Sequence, residues 1–149
     1  MLRFHGHHYH TVDAKGRLSI PAKFREILKA QYDERLMISF LDGCLTAYPY
    51  TEWEKLVNRF LSLPQHNKKV KAFMRGYISA VEECPLDSQG RILLPPVLRE
   101  RAGIKEKVMI LGCLYKIEIW DYATGLPRVE EEMKETSEIS EYLGEAFKF

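Results

Sequence analysis

The chain has 149 residues, 46% of them hydrophobic and 29% charged, the make-up of a soluble globular protein long enough for one unit or two interlocked halves. Its longest apolar run, 108–115, is too short to span a bilayer, and the early polar residues Arg3 and His5 leave no signal-peptide core, so a cytoplasmic location is expected. The net charge of +1 hides a division: residues 130–149 balance at −5 and residues 1–129 at +6, which permits a phosphate-bearing partner.

The first element is a strand over "HGHHYH", residues 5–10. Strand alternation puts His8 and His10 on one face. Metal sites, however, draw ligands from several elements and want a carboxylate or thiolate companion. The segment therefore reads as solvated imidazoles, with His10 near enough to the next loop to help an anionic partner. No metal or other cofactor is expected.

That loop, Asp13-Ala14-Lys15-Gly16, has Asp first and Gly fourth, the preference of a type I turn. It opens "DAKGRLSIPAKFRE" at 13–26, and "DSQGRILLPPVLRE" at 87–100 repeats it with an offset of 74. The pairs Asp13/Asp87, Gly16/Gly90, Arg17/Arg91, Pro21/Pro95, Arg25/Arg99 and Glu26/Glu100 are identical. Repeats take precedence over local patterns. Each copy predicts a short strand (18–20 and 92–94), then a helix opened by proline. The first helix runs to about Lys29; the second stops near Ala102, with Gly103 as its left-handed cap. A hairpin closes each copy, turned by Asp42-Gly43 in the first and around Gly112-Cys113 in the second.

Between the copies lies a helical insert. Thr51-Glu52-Trp53-Glu54 reads as a capping box, Pro64 breaks the helix it opens, and Asn67 caps a second helix with a basic outer side. After the second copy, Gly125 and Pro127 interrupt the chain before an amphipathic, glutamate-rich stretch. The divisions are repeat 1 at 7–54, insert at 55–80, repeat 2 at 81–124 and acidic helical tail at 125–149. A half-barrel of about five short strands buries too little alone, so the two copies should complete one barrel. The expected fold is mainly β with α (α+β), pseudo-two-fold.

Chemistry narrows to the loops. Asp and Gly in each read as turn residues. Arg17 is different: it follows a tight turn beside Lys15, with Arg25 one helix away, and cations on a rigid loop suit phosphate and guanine-edge recognition. Cys44, Cys84 and Cys113 are odd in number and lack a C-x-x-C pair, so they read as buried or half-buried thiols. Ser19 and Ser88 have no base pattern, and there is neither a nucleophile elbow nor a P-loop; no enzyme activity and no small-molecule ligand are expected.

The two D-x-x-G-R units, with "YPYTEWEKL" after the first and "KIEIWD" closing the second, resemble the MraZ family, the tandem-repeat branch of the AbrB/SpoVT/MazE swapped-hairpin proteins. The resemblance covers residues 3 to about 122. It implies two interlocked half-barrels, a subunit ring, and a bacterial transcription factor, usually a repressor. Such a protein binds double-stranded DNA at short direct repeats upstream of its own gene and the division and cell-wall gene cluster, in the nucleoid. The family's DNA-facing loop maps onto Asp13, Lys15, Gly16, Arg17 and Arg25, and in the second copy onto Asp87, Gly90, Arg91 and Arg99. This chain departs from the family in having Gln89 where the first copy has Lys15, and "LGCLYKIEIWD" where a glutamine-asparagine-rich turn is usual. With Glu82, Glu83 and Asp87 nearby, Arg91 reads as holding its own loop in an ion pair. The residues by themselves leave open an antitoxin-like or adaptor module docked by its acidic tail.

Overall fold

The computed structural model describes residues 2–147. The first repeat runs β1 (His7–Thr11), β2 (Arg17–Ser19), α1 (Ala22–Gln31), β3 (Arg35–Leu41) and β4 (Cys44–Pro49). The insert is α2 (Tyr50–Leu61) and α3 (Lys68–Gly76), followed by a single 3-10 turn, Ile78–Ala80. The second repeat is β5 (Glu82–Pro85), β6 (Arg91–Leu93), α4 (Pro96–Arg101), β7 (Lys107–Gly112) and β8 (Ile117–Asp121), and α5 (Tyr122–Phe147) ends the chain.

The two repeats complete each other. A six-stranded antiparallel sheet runs β1-β7-β8-β4-β3-β5, and β2 pairs only with β6. Exchanging the copies (β1 for β5, β3 for β7, β4 for β8) returns the same order from the other end. Thus β1 lies on the hairpin of the second repeat, from His7↔Leu111 to Thr11↔Lys107, and β5 on that of the first. The fold is the predicted α+β. Its symmetry is that of two interlocked halves, but the hydrogen-bonded ladder does not close into a barrel: β1 and β5 are opposite sheet edges, and the three-residue β2 and β6 form a separate ribbon.

One core draws on both copies. Leu18 and Ile92, facing each other across the ribbon, are buried with Phe24, Ile38, Leu98 and Ile110. Burying a Leu or Ile side chain contributes about 1.5–3 kcal/mol, so the inner face of the ribbon fixes it to the sheet. Cys44 and Cys84 are buried and Cys113 half-buried. Burial pushes the Cys84 thiol up to about 12 and the Cys113 thiol to about 11, which keeps them protonated and unreactive.

Local signals held where the backbone demanded them. Asp42 (φ 57°) and Gly43 (φ 87°) form the two-residue hairpin turn. Gly103 (φ 63°) ends α4, with Gly103 N–H donating to Glu100 and Ile104 N–H to Arg99, the Schellman pattern. The Asn67 side chain accepts from the Lys69 and Val70 amides at 2.8 and 3.3 Å.

Two expectations are corrected. Thr51 caps nothing: α2 begins one residue earlier, behind Pro49, without a side-chain cap, and that proline ends β4 and turns the chain directly into the helix. Nor do Gly125 and Pro127 interrupt the tail, because α5 is continuous through both. Asp121 receives the Thr124 amide and hydroxyl, and Gly125 packs where a Cβ would lie 2.7 Å from Trp120 Cβ. Arg128 donates twice to Asp42 at 2.8 Å, and Val129 is buried. An interior proline costs about 3 kcal/mol; these anchors offset it. Among the described residues no helix is long and apolar enough to cross a membrane.

Candidate nucleic-acid interface

Both Asp-x-x-Gly-Arg loops are built alike. The Gly16 amide donates to the Asp13 carbonyl (3.0 Å) and Gly16 turns left-handed at φ 84°. Asp13 Oδ1 then accepts the Lys15 and Arg17 amides, both at 2.9 Å, and Asp13 Oδ2 takes Arg17 Nε at 2.7 Å. In the second loop Gly90 N–H donates to Asp87 O at 3.0 Å, and the Gln89 and Arg91 amides and Arg91 Nε each meet the Asp87 carboxylate at 2.9 Å. A carboxylate that accepts three donors stays ionised. Asp13 is held at about 2, below the ordinary 3.8, first by the Arg17 amide and then by the Arg17 side chain and Lys15 amide. Asp87 is lowered in the same way by Arg91 and Gln89.

The ion pair expected only of Arg91 is therefore made by Arg17 as well. Each uses Nε, and among the described residues neither guanidinium has another hydrogen-bond partner. In both, the base of the fork is held by the loop's own aspartate.

The ribbon brings the loops together. Its register is Arg17↔Leu93, Leu18↔Ile92, Ser19↔Arg91. With Leu18 and Ile92 inward, alternation puts Arg17, Ser19, Arg91 and Leu93 on the outer face. Arg17 and Arg91 stand diagonally across it, about 7–8 Å apart at the backbone. Each loop also continues the other repeat's strand: Ile20 N–H donates to Gly90 O and Leu94 N–H to Gly16 O. Sequence reasoning found the arginines but missed Leu93, 60% exposed between them. The signal was available, because Leu93 is two residues from Arg91 in a strand.

Arg25 does not join Arg17. Its side chain lies over the second loop, where a Cβ on Gly90 would run into it, and Nη1 reaches Gln89 O at 3.4 Å. Among the described residues, Arg25 Nε is buried without a hydrogen-bond partner. Its counterpart Arg99 folds back instead onto the turn after α4, donating to Ile104 O at 3.1 Å and to Lys105 O. Arg99 Nη1 still comes within van der Waals range of a Cβ built on Gly16. Two matching grooves result. One, of about 570 Å³, lies between Lys15-Gly16 and Arg99-Glu100; the other, of about 460 Å³, lies between Ser88-Gly90 and Arg25-Glu26. Lys15 is exposed on the rim of the first. His10 is tied to the ribbon, its Nδ1 2.7 Å from Ser19 O. His8 leans the same way against Phe24, ring centroids 4.9 Å apart. Burial there, with His10 and Lys23 adding to it, lowers its pKa.

Two interlocked copies of one strand–loop–strand–helix–hairpin unit, presenting paired Asp-Arg loops on a shared ribbon, define a tandem-repeat α+β protein. The family whose description reads "MraZ protein, putative antitoxin-like" matches residues 3–76 and 78–138. The chain belongs to the MraZ family. It is 43% identical to the "Transcriptional regulator MraZ" of Syntrophobacter fumaroxidans over 94% of this chain and 93% of that one. To the protein of the same name from Moorella thermoacetica it is 42% identical over 95% and 94% of the two chains. The solution structure of PHS018 from Pyrococcus horikoshii aligns with 77% of this chain and 97% of its own, at 17% identity and a TM-score of 0.36, too distant to inform the site.

Proposed function

We propose that this chain is a DNA-binding transcriptional regulator that reads double-stranded DNA through the ribbon and its two loops. The observation that carries the reading is the locked arginine. With Nε held by the loop aspartate, the remaining edge of the Arg17 guanidinium is a preorganised fork for guanine O6 and N7 or for a phosphate. Lys15, exposed beside it, adds sequence-independent attraction. Two relatives similar over nearly their whole length carry the name transcriptional regulator, which supports the same reading.

The finer assignment follows from the family resemblance and from symmetry. The protein acts mainly as a repressor of its own gene and of the division and cell-wall cluster, in the cytoplasm and nucleoid, at short direct repeats. Direct repeats favour subunits arranged head to tail, and a head-to-tail interface that closes gives a ring. The test is a gel shift on the DNA upstream of its own gene across a salt series. Sequence-specific binding that weakens steeply with salt is expected; equal affinity for scrambled DNA would sink the reading. A protein-docking, antitoxin-like role has one observation in its favour, the exposed acidic face of α5.

A further inference from the structure

Between the two locked arginines the ribbon carries an apolar side chain. Leu93 is 60% exposed and lies directly across from Arg17, while the matching place in the first copy is Ser19, across from Arg91. Each arginine thus has a different neighbour. An exposed leucine by itself is ordinary, but this one is held in place. Its Cδ1 lies 3.6 Å from where a Cβ would stand on Gly16, so it leans over the first loop. There it walls the groove of about 570 Å³ together with Lys15, Pro96 and Arg99. The groove at the second loop is lined instead by Ala22 and the carboxylates of Glu26, Glu34 and Asp87. An apolar contact beside a free cation is a property of the first loop.

A two-stranded ribbon fits the major groove of DNA, and the apolar group displayed there is the C5 methyl of thymine. A leucine set against the amino or carbonyl edge of another base would strip water from it and give no hydrogen bond in return. Side chains directly opposite on an antiparallel pair stand about 4.5–5.5 Å apart at Cβ, and successive bases of one strand rise about 3.4 Å. With the Arg17 fork on guanine O6 and N7, Leu93 is within reach of the neighbouring base pair.

We infer that Leu93 reads a thymine methyl one base pair from the guanine held by Arg17, so that the first loop recognises adjoining guanine and thymine together. The inference rests on the DNA reading of the ribbon and names the base chemistry that reading would select. The probe is the DNA upstream of the protein's own gene, made once with thymine and once with deoxyuridine, which pairs identically and lacks only the methyl group. In gel shifts the wild type should bind the deoxyuridine duplex about fourfold more weakly for each methyl contacted, the worth of one buried methyl. Leu93→Ser copies the first repeat at an exposed place. It should bind the thymine duplex as weakly as the wild type binds the deoxyuridine one, and it should not tell the two apart. Leu93→Met should keep the preference. Restoring single thymines to the deoxyuridine duplex should recover affinity beside a guanine. Equal wild-type affinity for the two duplexes would overturn the inference, as would recovery at thymines with no adjoining guanine. So would a Leu93→Ser protein that weakens on both duplexes and keeps the wild-type ratio, which would make Leu93 a prop for the first loop. If the wild type binds neither duplex above scrambled DNA, the DNA reading falls and this inference with it. Specific binding of the thymine duplex without a methyl preference leaves that reading standing and removes only the role of Leu93.

Discussion

The loops at 13–17 and 87–91 share a skeleton and differ in their company. Each has the same turn, the same carboxylate accepting two amides and an arginine Nε, and a left-handed glycine. What lies over them differs. Lys15 projects from the first, while the second carries Gln89 and is covered by Arg25, reaching across from the other repeat. Duplication keeps the frame because the turn needs every one of its parts. The surface is free to diverge, and the divergence separates a loop open to a partner from one partly occupied by the protein itself.

The largest expected effect tests this on DNA. Arg17→Ala should lower operator affinity at least ten- to hundredfold, since a bidentate base contact is worth about 1–3 kcal/mol and a multivalent assembly compounds the loss. Arg91→Ala should cost less affinity and more stability or assembly. Equal losses in a gel shift would mean that both arginines read DNA from their shared ribbon face.

Next come the glycines. Alanine at Gly16 or Gly90 pays about 1–2 kcal/mol for the left-handed backbone. At Gly90 the new methyl must also displace Arg25, whereas at Gly16 the nearest atom, Leu93 Cδ1, sits at an ordinary 3.6 Å. Thermal unfolding should therefore rank Gly90→Ala below Gly16→Ala, and the reverse order would show that Arg25 does not cover the loop in solution.

A smaller change is expected from Lys15→Ala, which should weaken all DNA binding several-fold and reduce the salt slope by about one. Gln89→Lys in the second loop should restore little of it if Arg25 screens that position. The smallest effect concerns protons. Because folding depresses the Asp13 pKa, its contribution is fully present above the ordinary 3.8 and fades as pH falls through about 2. Carboxyl NMR of the folded protein should find that midpoint near 2, and Arg17→Ala should move it upwards.

Much of this was legible in the sequence, and the reasons are local. Asp-x-x-Gly, Asp42-Gly43, Gly103 and Asn67 each dictate a backbone geometry by themselves, and the 74-residue offset forecast two copies joined in one α+β core. What was missed depends on long-range contact. The Pro49 start of α2 and the unbroken α5 follow from packing against the sheet, which overrides the signals of Thr51, Gly125 and Pro127. That Arg25 crosses to the loop of the other repeat follows from the exchange of strands, which one-dimensional spacing does not show. Arg17 was read as facing DNA and the ion pair was assigned to Arg91, whereas both arginines make it, because acidic neighbours in sequence are a poor guide to a bond made by the loop's own aspartate.

The exchange of β1 and β5 between repeats also bears on how the protein is made. Until the second copy has left the ribosome, β1 lacks β7, β2 lacks β6, and β3 lacks β5. At roughly 5–20 residues per second, the 74-residue offset between β2 and β6 leaves the edge of β2 open for about 4–15 s, with β1 waiting longer for β7 and β3 less long for β5. The insert, emerging in that interval, holds α2 against the β3–β4 hairpin through Trp53 packed on Tyr48, so the first half can wait as a hairpin with a helix on it. A chain truncated before residue 81 would remain in that waiting state, and two halves supplied separately should find each other and close the same sheet.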